Sequence, residues 1–349
     1  MTSAIRRAVT VTGAAVTLVV AAACSSSGSS SAGNPQAPQS GSGATTPVSV
    51  VTGFTYVGAY APLYYGIANG TYKAHNINLS VKSEAGGTIT AGEEVAQGKI
   101  DFGFIDTSAA STLIAKGAGL TVLATYQPVD DMAVLTLSQS GIKTAKDLIG
   151  KSIATSPTGS LGALLPAFLK AAGVSNSQVK MVNVSGQQLQ TSVITHQTEA
   201  AVGYAWGQTV TIEAATHQPV TAILYSSAGV DITGYGLIVN SSYLKAHPDV
   251  ARQMVAATST AVEASVKDPT AANDAGVAAN PALAKDSDLS LKELQIFAKE
   301  VDDQRTPGKP LGWNDPATWT KSLNIINKYM GPIPTDGSKY YTNAYLPAS

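Results

Sequence analysis

The chain is short of charge. Of its 349 residues 13% are charged, 22 Lys and Arg against 23 Asp and Glu, for a formal net charge of −1. That is about half the charged share of an average globular protein, and it leaves no basic footprint for nucleic acid. Cysteine is nearly absent. The single residue, Cys24, excludes a disulfide scaffold, an iron–sulfur site and a Cys-ligated zinc. Four histidines, His75, His196, His217 and His247, sit at no metal-ligand spacing. Aromatics are 6%, most of them Tyr. Hydrophobic residues still make up 44%, enough to build a core, and the length suggests about two domains.

Several enzyme motifs nearly occur and fail. Gly150-Lys151-Ser152 ends like a phosphate loop, but position 145 is Ala and the following residues read as a strand, whereas a phosphate loop must open a helix. Gly117-Ala118-Gly119 lacks a third Gly and leads into a strand, so it is no dinucleotide fingerprint. Gly159-Ser160-Leu161-Gly162 is preceded by Thr158, not by the Gly that a nucleophile elbow needs. Glu93-Glu94 are adjacent helix residues that point apart, and Asp130-Asp131 mark a loop between lobes. These readings predict no enzyme, no cofactor and no metal.

Residues 1–23 read as a secretory signal peptide. Arg6 and Arg7 form the positive start, and an apolar run of residues 8–23 follows, short of the roughly 20 residues that span a bilayer. It ends in Ala21-Ala22-Ala23-Cys24, which resembles the lipobox of bacterial lipoproteins. That resemblance implies a diacylglycerol thioether on Cys24, with palmitate among the acyl chains, and two or three chains anchor stably where one does not. Nothing after Arg6-Arg7 supports a twin-arginine signal, which favours Sec export. Residues 24–47, rich in Ser, Gly, Pro and Thr without charge or aromatics, form a flexible linker reaching roughly 25 Å. The protein is thus expected outside the cell, held on the outer face of the cytoplasmic membrane by lipid.

From residue 48 the pattern alternates strand and helix, which predicts βαβ units and a mainly parallel sheet. Residues 48–51, 77–81, 100–105 and 120–126 read as strands, with helices at 61–68, 89–97 and 109–116. The scheme restarts near residue 144, with strands at 152–155, 179–184, 200–204 and 220–225 and helices at 161–172, 187–197 and 209–216. Each half has a helix followed by a short strand ending in Gly-aromatic, Gly103-Phe104 and Gly203-Tyr204, which suggests two lobes of similar build. Past Ile232 the chain turns helix-rich, with a long helix at 248–267 that Asp268-Pro269 stops.

In an open α/β sheet ligands bind beyond the C-terminal ends of the strands. The loops there, at 54–60, 86–88, 106–108, 156–160, 185–187 and 204–208, combine Gly, Ser and Thr with aromatics. Free amides and hydroxyls suit polar groups, and aromatic faces suit a flat molecule. The candidate ligand-binding residues are Phe54, Tyr56, Tyr60, Thr88, Asp106, Thr107, Ser156, Gly159, Ser160, Tyr204, Trp206 and Asp231.

Segments spread over residues 48–349 carry a family resemblance. They include Ala61-Pro62-Leu63-Tyr64-Tyr65-Gly66, Gly86-Gly87-Thr88, Asp101-Phe102-Gly103, Thr144-Ala145-Lys146-Asp147-Leu148, Tyr235-Gly236-Leu237-Ile238-Val239-Asn240, His247-Pro248-Asp249 and Lys267-Asp268-Pro269. In these the chain resembles the solute-binding proteins of ABC importers of the nitrate/sulfonate/taurine and thiamine-pyrimidine-precursor class. The resemblance implies an α/β periplasmic-binding-protein fold with two lobes, two crossings and a helix-rich C-terminal third. It places lobe 1 at 48–130, lobe 2 at 137–226, and a return to lobe 1 with C-terminal helices at 236–349, the crossings lying near 127–137 and 226–236. It implies a small-molecule solute in the cleft, permease and ATPase partners, and a monomer. The loops hold no Arg or Lys for a sulfonate, taurine or nitrate, which leans the ligand toward an aromatic heterocycle such as a thiamine-pyrimidine precursor, its amino group held by Asp106 or Asp231. Sulfonate or nitrate capture stays open as the alternative. A pyrimidine-synthesising enzyme of the same fold carries a cysteine-rich motif that is missing here, and a sensor or adhesive lipoprotein of the same fold is a third reading.

Overall fold

The computed structural model describes residues 45–54, 56–84, 86–156 and 160–348; the leader, residues 24–44 of the expected linker with Cys24, and Gly159 lie outside them, while Thr46 and Pro47, expected in the linker, are the first residues of a strand. The first stretch runs β1 (Thr46–Thr52), α1 (Ala61–Ala68), α2 (Thr71–Ala74), β2 (Ile77–Ser83), α3 (Thr88–Ala96), β3 (Phe102–Asp106), α4 (Thr107–Ala115) and β4 (Leu120–Thr125). The second runs β5 (Met132–Leu137), β6 (Ser152–Thr155), α5 (Ser160–Ala171), β7 (Lys180–Asn183), α6 (Leu189–Ile194), β8 (Ala200–Tyr204), α7 (Ala205–Thr216) and β9 (Val220–Leu224). Then come β10 (Tyr235–Asn240), α8 (Ser241–Ala246), α9 (Pro248–Lys267), α10 (Pro269–Ala279), α11 (Ser287–Asp303) and α12 (Pro316–Tyr329).

These strands build two five-stranded sheets, ordered β2-β1-β3-β10-β4 and β7-β6-β8-β5-β9. Each is the heart of one α/β lobe. The chain crosses from the first sheet to the second between Thr125 and Met132, and returns between Leu224 and Tyr235. Residues 132–137, expected within the first crossing, are instead the strand β5.

The sheets are mixed, which corrects the expectation of a mainly parallel one. β1 runs parallel to β2 and β3, but β10 runs against both β3 and β4. In the second sheet β6 is parallel to β7 and β8, while β5 runs against β8 and β9. The cause is the crossing itself. A strand arriving from the other lobe enters at the end where the parallel strands finish, so it must run back against them. β3, β5 and β10 are buried along their whole length, as central strands covered on both faces are.

The C-terminal helices use sequence-local starts. Asp268 accepts a hydrogen bond from Ala271 N, and Asp315 from Thr318 N, each just before a proline at the first helical position. Asp268-Pro269 therefore ends α9 and also opens α10, a helix the sequence reading did not include. Proline needs no N–H at that position, so the residue that stops one helix can start the next.

Glycine is required where β10 slots between its neighbours. A Cβ on Gly236 would lie 2.4 Å from the Ala124 carbonyl oxygen and 2.6 Å from Thr107 Cγ2. At Gly119 a Cβ would meet nothing within 4 Å. Gly236→Ala is expected to destabilise the protein by about 2–3 kcal/mol and Gly119→Ala by less than about 1 kcal/mol, as read from urea denaturation midpoints.

Candidate functional site

The antiparallel pairing sets the site. At the open end of the first sheet Tyr235 is paired across from Asp106, and at that of the second Met132 is paired across from Tyr204. The ends of β3 and β8, the starts of β10 and β5 and both crossings therefore converge.

From the first lobe comes Asp106, the N-cap of α4, whose Oδ1 accepts from Ser108 N at 2.7 Å. Beside it the Tyr60 ring stands edge-on to Phe104 at 6.2 Å and to Tyr235 at 6.0 Å between centroids. The Tyr60 and Tyr235 hydroxyls are buried and neither has a hydrogen bond of normal geometry. From the second lobe Tyr204 and Trp206 stack at 6.2 Å with 24° between planes. Trp206 meets Tyr235 edge-on at 6.0 Å, a ring contact between lobes. The Tyr204 hydroxyl hydrogen-bonds Asp106 from across the cleft. The helix starts meet too: the Ser108 and Ser160 hydroxyls are 3.2 Å apart and buried.

The first crossing supplies the floor. Asp130 N donates to Ile232 O at 2.8 Å and Gly234 N to Gln127 O at 2.9 Å, so the two crossings run side by side. Asp131 caps α7: its Oδ2 accepts from Trp206 N at 2.6 Å, and its carbonyl from Ala205 N at 3.2 Å. A carboxylate at a helix N-terminus is favourably placed, and this cap explains why residues 205–208, read as a loop, begin a helix. α11 braces the same segment. Glu300 Oε2 accepts from Gln127 Nε2 at 2.7 Å, Gln304 Oε1 from Val129 N at 2.8 Å and, at the other end, Glu293 Oε2 from Gly58 N at 2.8 Å.

Four carboxyls, Asp106, Asp130, Asp131 and Glu300, thus share a buried region, and none of them forms an ion pair among the described residues. All four are held above the ordinary carboxylate range, burial being the first cause. Asp131 is pushed up to about 7, against the lowering effect of the Trp206 N–H. Glu300 is pushed up to about 8, the Asp131 charge adding to burial. Asp130 is raised well above its usual value by burial and by the charges of Asp106 and Asp131. Among the described residues no three His, Cys, Asp or Glu side chains are arranged to hold a metal ion. The site offers flat apolar faces, hydroxyl and indole donors, and an excess of acid.

Of the residues singled out in the sequence, Tyr60, Asp106, Tyr204 and Trp206 meet at this cluster, and Ser160 lies at the contact of the helix starts. Thr107 is spent on structure, its N and Oγ1 both donating to Gly234 O. Ser156 is buried at the end of β6, its carbonyl oxygen 1.8 Å from where a Cβ on Gly162 would stand. Thr88 opens α3 beside Gly53, and Phe54 is exposed nearby. Tyr56 is not brought to the cluster: its ring lies 5.5 Å from Tyr64 and its hydroxyl abuts Gly276 of α10. Nor is Asp231, which pairs with Lys321 of α12. The sequence reading missed Gln127, Asp130, Asp131, Tyr235 and Glu300 as site residues. A signal existed for Glu300, which shares a helical face with Phe297 and Gln304, and for Asp130-Asp131, an acidic pair with no basic neighbour in sequence.

A family model described as NMT1/THI5 like matches residues 58–272, more than half of the chain. No curated protein sequence gives a significant match. Among solved structures, the alkanesulfonate-binding protein SsuA of Xanthomonas axonopodis pv. citri, bound to MOPS, superposes with a TM-score of 0.63 at 14% identity, over 85% of this chain and 98% of that one. The periplasmic nitrate-binding protein NrtA of Synechocystis PCC 6803 gives 0.61 at 12% identity, over 86% and 87%. A DszB variant in complex with biphenyl-2-sulfinic acid gives 0.60 at 12%, over 86% and 97%. The fold is therefore that of the periplasmic binding proteins.

The carboxyl cluster sets a pH dependence. A carboxyl whose folded pKa is raised binds its proton more tightly folded than unfolded, so its contribution is full below about pH 4 and is lost as pH rises through the folded value. For Asp131 and Glu300 that window ends near pH 7 to 8. Stability from urea melts is expected to fall between about pH 5 and pH 8, with a slope of up to ~1.4 kcal/mol per pH unit for each proton involved. Asp131→Asn, which keeps an oxygen for Trp206 N, should flatten that slope.

Proposed function

Because the chain belongs to the NMT1/THI5-like family, we propose that it is the extracytoplasmic solute-binding subunit of an ABC importer and that it captures an amino-bearing aromatic heterocycle between its lobes. The observation that carries the ligand class is the buried acid of the cleft, set among aromatic rings and free of ion pairs. A sulfonate or nitrate brought to Asp106, Asp130 and Asp131 would require all three carboxyls to stay protonated and would find no Lys or Arg among them to balance its charge, a demand that ionisation of any one of them defeats. An amino heterocycle offers what the cluster lacks: N–H donors, positive charge and a flat face for Trp206 and the tyrosines. The thiamine-pyrimidine precursors have this chemistry. The structural neighbours that bind alkanesulfonate and nitrate support the binding-protein architecture, and they make anion capture the rival reading.

In this proposal the solute is bound and released unchanged, with permease and ATPase subunits as partners. The lobes are 48–130 with 236–349, and 137–226 extended to take in β5. The protein works as a monomer tethered through acylated Cys24 by the part of the linker that precedes β1. An enzyme of the same fold is the rival class, and turnover of a captured compound would end the binding-protein reading.

A thermal-shift screen of the mature protein against aminopyrimidines, thiamine, taurine, alkanesulfonates and nitrate tests the ligand class. The expected outcome is a shift with aminopyrimidines and none with the anions; the reverse pattern refutes it. Trp206→Ala is expected to weaken binding about 10- to 100-fold with folding retained. Cys24→Ser is expected to move the expressed protein from the membrane fraction to the medium or periplasm.

A further inference from the structure

We infer that Asp130 is the specificity-determining carboxylate of the cleft: its outer oxygen takes the amino or ammonium edge of the solute, and a cationic solute displaces one proton from the carboxyl cluster as it binds. This rests on the reading of the cleft as a site for an amino-bearing heterocycle, and goes beyond it by naming the residue and the proton balance.

The assignment follows from how each acid is already used. Asp106 is engaged by Ser108 N and the Tyr204 hydroxyl, Asp131 by Trp206 N, and Glu300 by Gln127. Asp130 gives Oδ1 to Met132 N at 3.0 Å. Its Oδ2 is buried with no hydrogen-bond partner, the one such carboxylate oxygen among the described residues. A buried acceptor left unmatched costs about 1–3 kcal/mol, so an oxygen held in this way calls for a partner. It lies where the crossings run together, 3.2 Å from the place a Cβ on Gly234 would take. The Gln127 carboxamide oxygen would lie 2.4 Å from that same Cβ, so glycine there lets the two crossings close on Gln127 and Asp130.

Three more polar atoms nearby are buried: Trp206 Nε1, which has no partner, and the Tyr60 and Tyr235 hydroxyls, which lie near each other without a hydrogen bond of normal geometry. Tyr60 touches Tyr235, and Tyr235 touches Trp206, so the three belong to one wall. An indole N–H can only donate, and a phenol can donate or accept. The matching solute presents a donor edge to Asp130 and an acceptor to the aromatic wall. That is the pattern of a flat ring with an amino group and ring nitrogens.

The proton balance follows from charge. The titratable groups around Asp130 are Asp106 at the end of β3, Asp131 in the same crossing, Glu300 on α11 and Tyr204 at the end of β8. Lys299 and Asp303 act on Glu300 from its own helix. Burial and mutual repulsion keep the four carboxyls from ionising together near neutral pH. When a permanent cation arrives, a carboxyl ionises against it and its proton passes to solvent. When a neutral aminopyrimidine arrives, the proton passes from the carboxyl to a ring nitrogen, the O–H bond breaking as the N–H bond forms, and none is released.

Titration calorimetry of the mature protein near pH 7, in two buffers of different ionisation enthalpy, tests this with thiamine and with its aminopyrimidine half. About one proton is expected to leave with thiamine and none with the aminopyrimidine. Asp130→Asn, which keeps an oxygen for Met132 N, should weaken both about 30-fold or more and abolish the release, whereas Asp231→Asn should leave both unchanged. Binding by Asp130→Asn within about threefold of the parent overturns the assignment while the amino-heterocycle reading stands, and so does thiamine binding without proton release. A parent protein that ignores both probes and binds taurine or nitrate overturns the reading itself and this inference with it. If Asp130→Asn does not fold, thiamine binding by the parent protein without proton release still overturns the inference.

Discussion

The two crossings are hydrogen-bonded to each other, and the rest of the molecule is arranged around that ladder. Tyr126 N and Gln127 N both donate to Tyr235 O, Asp130 N to Ile232 O, and Gly234 N to Gln127 O. These bonds fix where β5 enters one sheet and β10 the other. They set the antiparallel pairings that bring Asp106 opposite Tyr235 and Met132 opposite Tyr204. Without this ladder the aromatic rings of the two lobes would have no defined relation. α11 reinforces it on one side, holding Gln127 and Val129 through Glu300 and Gln304.

The ladder also carries a cost. It buries carboxyls that find N–H donors but no counter-ion, and a buried charge without a partner is expensive. Proteins concentrate such arrangements where function needs them and offset them with ordinary packing elsewhere. Here the offset comes from the continuous apolar interior of both lobes, in which β3, β5 and β10 are wholly buried. In the cleft an unmatched carboxylate oxygen, two phenol hydroxyls and an indole N–H lie close together, at a cost in local stability.

Local pattern was enough to read the α/β alternation, the two similar halves, and helix starts such as Asp106 before α4. Those features follow from nearest-neighbour physics: apolar periodicity, a side-chain oxygen over the first turn, a proline at the first helical position. The mixed sheet was not legible, because strand direction depends on which end the chain enters, and that is decided by segments far away in sequence. The site was legible in part. Tyr60, Asp106, Tyr204 and Trp206 follow from their places at strand ends. Asp231 stands at a similar place in the pattern, yet Lys321, some ninety residues on, takes its charge. Asp130-Asp131 read as a loop between lobes and Glu300 drew no reading, because nothing local distinguishes a buried carboxylate from an exposed one. Only the ladder of the crossings and the brace of α11 bring them together.

The stacking of Trp206 against Tyr204 and its edge contact with Tyr235 have an optical consequence. The chain holds three tryptophans. Trp319 is buried in the first lobe against Tyr341, and Trp313 lies under the Lys309 ammonium. Trp206 is the one whose indole touches both lobes at once, beside carboxyls able to change charge. Of the three emitters, it is the one whose fluorescence colour and lifetime are governed by the seam between the lobes.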